Sequence, residues 1–144
     1  MSPLRSLALL SLVALSIGCG PPALKLVPVS GVVTVDGKPI EGAAVMFSPE
    51  AGGRPAVGLT DAMGHFQLTT LKANDGALVG SHLVTVTKLE TTGVEADDEG
   101  LSTPLTSEVK QIWHVPKKYS STKTSGLTAE VKEEMPAVEL KLSK

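Results

Sequence analysis

Apolar residues recur at every second position along much of this chain, in short runs cut by Gly, Pro, Asn and Asp. A period of two belongs to a strand with one buried face. Val29, Gly31, Val33 and Val35 share one parity, and Asp36-Gly37 follows, a pair suited to the two positive-φ positions of a tight hairpin turn. Ala43, Val45 and Phe47 alternate next, closed by Ser48-Pro49. Val57 and Leu59 lead into the turn Thr60-Asp61-Ala62-Met63-Gly64, and Phe66 and Leu68 resume the alternation beyond it. Asn74-Asp75-Gly76 marks a loop. His82, Val84 and Val86 then share a face, as do Leu127, Ala129 and Val131, and finally Val138, Leu140 and Leu142. No amphipathic helix interrupts these runs. The pattern predicts an all-β fold, a seven-stranded Greek-key β-sandwich with one buried face per sheet.

One stretch breaks the rhythm, a long connection over residues 89–124. Its first half, 91–106, carries an acidic cluster at Glu95, Asp97, Asp98 and Glu99 with little apolar material. Loops of that length are either functional or disordered. The second half, 109–119, holds Ile112, Trp113, Val115 and Tyr119, enough for a helical turn or extended segment folded back on the sandwich.

The N-terminus has a different character. Arg5 precedes an uncharged apolar run over residues 7–17. That run is shorter than the roughly 20 residues of a membrane span but matches a secretory h-region of roughly 7–15. It ends at Ser16-Ile17-Gly18-Cys19, and Gly20-Pro21-Pro22 breaks any helix. The small residue Gly18 stands before the only cysteine of the chain. This resembles a lipobox, with Ser16 in the place where leucine is preferred. The resemblance implies a lipoprotein signal peptide over 1–18, lipid on Cys19, a tether over 19–26 and a single domain over 27–144. Such a chain sits outside the cytoplasm, attached to a membrane through Cys19, and a lone thiol there has no disulfide partner. Against 13 Lys and Arg stand 15 Asp and Glu, so the domain has no basic footprint for nucleic acid.

The ordered motifs of the domain resemble a known family. Val29-Ser30-Gly31-Val32-Val33, Asp36-Gly37-Lys38-Pro39-Ile40 and Gly42-Ala43 are similar to the opening of carboxypeptidase regulatory-like domains. Thr60-Asp61-x-x-Gly64-x-Phe66 resembles the turn into that family's next strand. Gly80-x-His82-x-Val84-x-Val86 resembles a later strand, with His82 where tyrosine is usual. Val115-Pro116-Lys117-Lys118-Tyr119 and Ser125-Gly126-Leu127-Thr128 look like the C-terminal part of a bacterial lipoprotein subset. The resemblance implies a transthyretin-like (prealbumin-like) sandwich, related in general architecture to immunoglobulin-like ones. Its identifying residues build turns, not chemistry.

A catalytic set is not legible. There is no G-x-S-x-G and no H-E-x-x-H, and the three histidines, His65, His82 and His114, lack metal-ligand spacing. His65 should face solvent, His82 should sit at the margin of the core, and His114 adjoins Trp113. Two enzyme families of similar architecture fit badly. Hydroxyisourate hydrolases use a C-terminal Tyr-Arg-Gly-Ser, whereas this chain ends Leu140-Lys141-Leu142-Ser143-Lys144. Intradiol dioxygenases use two tyrosines, and Tyr119 is the only one here. Neither Asp61 nor the 95–99 cluster has the spacing of a calcium loop. The expectation is therefore a non-enzymatic module with no metal or cofactor, serving envelope structure or interaction with an envelope protein or glycan. The alternative is a lipoprotein that binds carbohydrate or peptide through the 109–119 region, with Trp113, His114 and Tyr119 as candidate contacts. The two phenylalanines fall on inward parity, leaving Trp113 and Tyr119 as the only aromatic platform. Anchoring the connection to the core is the competing role of Trp113, and the one favoured here.

Overall fold

The computed structural model describes residues 25–92, 94–96, 102–104 and 110–144. The signal segment, Cys19, and Asp97, Asp98 and Glu99 of the acidic cluster lie outside the described residues. In chain order the strands are β1 (Leu26–Val27), β2 (Ser30–Val35), β3 (Lys38–Pro39), β4 (Ala44–Pro49), β5 (Ala56–Leu59), β6 (His65–Gln67) and β7 (Ala77–Leu78). There follow β8 (Gly80–Thr87), β9 (Leu89–Thr92), β10 (Val94–Ala96), β11 (Ser102–Pro104), β12 (Lys110–Trp113), β13 (Leu127–Val131) and β14 (Val138–Leu142). One 3₁₀ turn, Lys117–Ser120, is the helical content among the described residues. The fold is all-β.

Two sheets carry the core. One runs β13-β8-β4-β5, and the other runs β14-β2-β3 with β6 also paired to β2. Their inward residues are those of the alternating runs. Val45, Phe47, Val84 and Val86 come from the first sheet, and Val33, Val35, Phe66, Leu140 and Leu142 from the second, all in one buried cluster. Phe47 and Phe66 meet across the sheets, ring centroids 6.3 Å apart and tilted. Fully burying side chains of this size contributes about 1.5–3 kcal/mol each. The arrangement is compatible with a β-sandwich.

The turns form as their residues dictate. Asp36 (φ 49°) and Gly37 (φ 79°) both take positive φ between β2 and β3, the requirement of a type I′ turn. Asp61 Oδ1 accepts the amides of Met63 and His65, each at 2.9 Å. Asp75 accepts those of Thr70 (2.7 Å), Leu71 (2.9 Å) and Lys72 (2.8 Å), tying the 70–75 loop to one carboxylate.

Several expectations are refined. The strand containing Val57 and Leu59 exists, but both face outward while Ala56 and Gly58 face in. His82 lies in the core at 1% exposure, not at its margin. Pairing begins within the expected tether, since Leu26 partners Leu78. The long connection is partly ordered: β9 pairs with β12 and β10 with β11, as antiparallel ribbons. Both a strand and a 3₁₀ turn occupy the 110–120 stretch.

Candidate functional site

The ribbon β9–β12 carries two of the three candidate contacts. Trp113 is the cross-strand partner of Leu89 at the ribbon's base, half-buried, with Lys117 Nζ 5.8 Å from its ring centre. The His114 amide donates to Lys88 O at 3.0 Å, and its Nε2 meets the Glu90 carboxylate at 2.8 Å. A carboxylate only accepts, so Nε2 carries the proton. Tyr119 is placed differently. It lies buried on the 3₁₀ turn, and its hydroxyl donates to Ser143 O (3.3 Å) while accepting the Ser143 amide (3.1 Å). Those hydrogen bonds to Ser143, followed by the nearby Lys118, hold the phenol below its ordinary range. Full burial in this segment falls to Val115 and Tyr119, and Trp113 stays at the rim.

The other histidines are far apart in role. His65 is exposed on β6. The His82 ring donates from Nδ1 to Gly80 O at 3.0 Å, and its buried Nε2 has no partner. Its ring centre lies 5.9 Å from that of Phe47. Among the described residues no group of three His, Cys, Asp or Glu side chains stands together as a metal-ligand set.

A groove lies elsewhere, on the seam where β5 meets β6 and β2. Its volume is about 610 Å³, within the usual range of roughly 300–1,000 Å³ for small-ligand sites. Gly31, Gly58, Val57, Leu59, Gln67 and Asn74 are among the residues that line it. The shape depends on the glycines. A Cβ on Gly58 would lie 2.6 Å from Gln67 O, and one on Gly31 would lie 2.6 Å from Phe66 Cζ. Hydrophobic patterning registers no site here, because Gly31 and Gly58 are inward positions without side chains and Val57, Leu59 and Gln67 face outward, yet a signal existed. Glycine inside a strand marks close approach of backbone or ligand.

Chemically, several acids and hydroxyls are committed to structure: Asp61 and Asp75 to loop amides, Tyr119 to Ser143, and Thr60 Oγ1 to the Ala43 amide at 2.8 Å. The groove is lined by amides, hydroxyls and aliphatic surface, together with Asp61 and His65. Comparison with protein-family models, with curated proteins and with solved structures returns no match.

Proposed function

We propose that this chain is a lipid-anchored, non-catalytic extracytoplasmic module of the carboxypeptidase regulatory-like kind, serving cell-envelope structure or protein interaction. The observation that carries the reading is the use to which the resembling motifs are put. Asp36-Gly37 closes a hairpin, Asp61 holds the turn into β6, and Gly64 fits where a Cβ would lie 2.5 Å from Val33 O. They specify a rigid scaffold, and scaffolds of this type take their function from the surfaces they display.

A seven-stranded Greek key is the finer architecture we infer. Support comes from the order of neighbours: β4 pairs with β5, β5 reaches the strand of β6 through the Val57–Thr69 bridge, and β6 pairs with β2. Three successive strands with another returning beside one end is the Greek-key order. The anchor rests on the sequence around Cys19, since two acyl chains hold a protein stably while one is marginal. Cell fractionation with mass analysis tests it. Wild-type protein should sediment with membranes and carry acyl mass at Cys19, and Cys19→Ala should become soluble; an unacylated wild-type cysteine refutes the anchor.

The half-buried Trp113 beneath Lys117 favours a second reading, in which the ribbon base binds a carbohydrate or peptide with Trp113 and His114, the buried Tyr119 serving to anchor the segment. Quenching of Trp113 emission by oligosaccharides or peptides distinguishes the two.

A further inference from the structure

We propose that the β1–β7 end of the sandwich docks on the surface of a phospholipid bilayer, setting Leu71 and Val79 into the boundary between headgroups and acyl chains. This deepens the anchored reading and rests on it. Topology decides which end meets the bilayer. β2 and β14 begin at this end, where Gly31 partners Val138, and β8 begins there too, where Gly80 partners Val131. β4 finishes beside them, Pro49 opposite His82. The short ribbon β1–β7 bridges the two sheets, since β1 leads into β2 and β7 into β8. The chain arrives at the same place. Lys25 O accepts the Val79 amide at 3.2 Å, and the Lys25 ammonium pairs with Glu133 in the β13–β14 connection. Cys19 precedes Lys25 by six residues, a span of at most about 22 Å. The opposite end holds the Asp36-Gly37 and Asp61–Gly64 turns and the root of the β9–β12 ribbon. β8 crosses the sandwich in eight residues, so the two ends stand roughly 23 Å apart. Lipid on Cys19 therefore holds the β1–β7 end near the bilayer.

The side chains at that end suit such a surface. Val79 follows β7 directly, opposite Lys25, and is 42% exposed. Leu71, 53% exposed, sits in the loop just before β7. That loop is held in place by the Gly76 amide on Leu68 O (2.9 Å) and by Thr70 Oγ1 on Gly76 O (2.7 Å). Charge is balanced here. Lys25 pairs with Glu133 and Lys132 with Glu130, and exposed Arg54 and Lys72 are offset by exposed Glu50 and Glu134. Anionic lipid therefore gains little, and burial of apolar side chains at a zwitterionic surface carries the contact. Two side chains are too few to bring a free protein to a membrane. A short tether removes that difficulty, because it raises the effective concentration of the tethered surface to about the millimolar range.

The test takes the protein from membranes, isotope-labelled, into phosphatidylcholine nanodiscs that carry a gadolinium-chelating lipid. Broadening of each backbone amide resonance then reports its nearness to the bilayer. A tether alone favours the β1–β7 end, so the decisive comparison is with a variant. Leu71→Glu combined with Val79→Glu changes exposed side chains and should leave the amide positions of Phe47 and Val84 unmoved. In that variant the broadening at residues 71 and 79 should fall by at least about threefold. Met63→Glu, an equally exposed apolar site at the far end, should leave the wild-type pattern intact. The same broadening in the double variant as in wild type, strongest broadening at Met63 and Leu89, or a contact that forms only when phosphatidylglycerol is added would each overturn the proposal. Mass analysis of the same sample separates the two failures. Acylated protein without the difference between variants ends the docking and spares the anchor, whereas protein without acyl mass at Cys19 ends both.

Discussion

The Phe66 ring lies over the backbone of Gly31, its cross-strand partner. A Cβ on Gly31 would stand 2.6 Å from Phe66 Cζ and 2.3 Å from Val138 O. Neither neighbour can yield, because one is a ring in the core and the other a main-chain carbonyl of the strand paired in parallel with β2. Gly31→Ala should therefore destabilise by about 3 kcal/mol through overpacking. Phe66→Ala should cost about 3–5 kcal/mol, while His65→Ala, one residue away and exposed, should cost under about 0.5 kcal/mol. Urea titration of the three variants checks the register, since a one-residue slip would exchange the last two results.

His82 offers a gain. Its Nε2 is buried without a partner, against the Phe47 ring. Phenylalanine keeps the aromatic packing and removes the orphaned nitrogen. His82→Phe should raise stability by about 1 kcal/mol. His82→Ala should lower it by about 2–4 kcal/mol through the cavity left. A His82→Phe protein that melts below wild type would refute this account.

Acid should loosen the loop after β6. Asp75 is held below its ordinary carboxylate value, chiefly by the Thr70 amide, which outweighs desolvation, and further by the amides of Lys72 and Leu71. Because the folded value is depressed, its contribution is fully present above the unfolded carboxylate range and fades as pH falls through the lowered value. The Thr70 amide resonance should move in that acidic window and nowhere near neutrality. Asp75→Asn should abolish the movement and speed amide exchange at Leu71 and Lys72.

At the ribbon base, Tyr119→Phe should cost about 1 kcal/mol, the net worth of its bonds to Ser143. Trp113→Ala should cost less than a core aromatic would, and wild-type emission should lie between those of buried and exposed indoles. Fluorescence with thermal melts measures both. Emission of a fully buried indole would return the anchoring role to Trp113.

The inward faces were legible because alternation and burial are coupled: Val45 and Phe47, or Val84 and Val86, have no other reason to recur at a period of two. Turn residues were legible for a similar cause, since positive φ restricts Asp36-Gly37 to few choices. Orientation of β5 was obscured where Gly58, with no side chain, occupies the inward place. The β9–β12 ribbon was obscured because Leu-Glu-Thr-Thr is exposed throughout and shows no alternation. As for the groove, it is bounded by missing side chains, and hydrophobic patterning has nothing to register there.

The parallel pairing of β14 with β2 has a consequence for how the protein comes into being. Lys144 donates its amide to the Asp36 side chain across 108 residues of sequence, and the ladder beside it spans a similar interval. An emerging chain exposes β2 long before it can supply the strand that flanks it. Until β14 arrives, Val33 and Val35 lack the Leu140 and Leu142 side of their core, and non-local pairing of this kind is slow to form. Under the proposed lipoprotein reading, such delay would keep the chain extended for its passage outward, since premature closure of the fold would stall it.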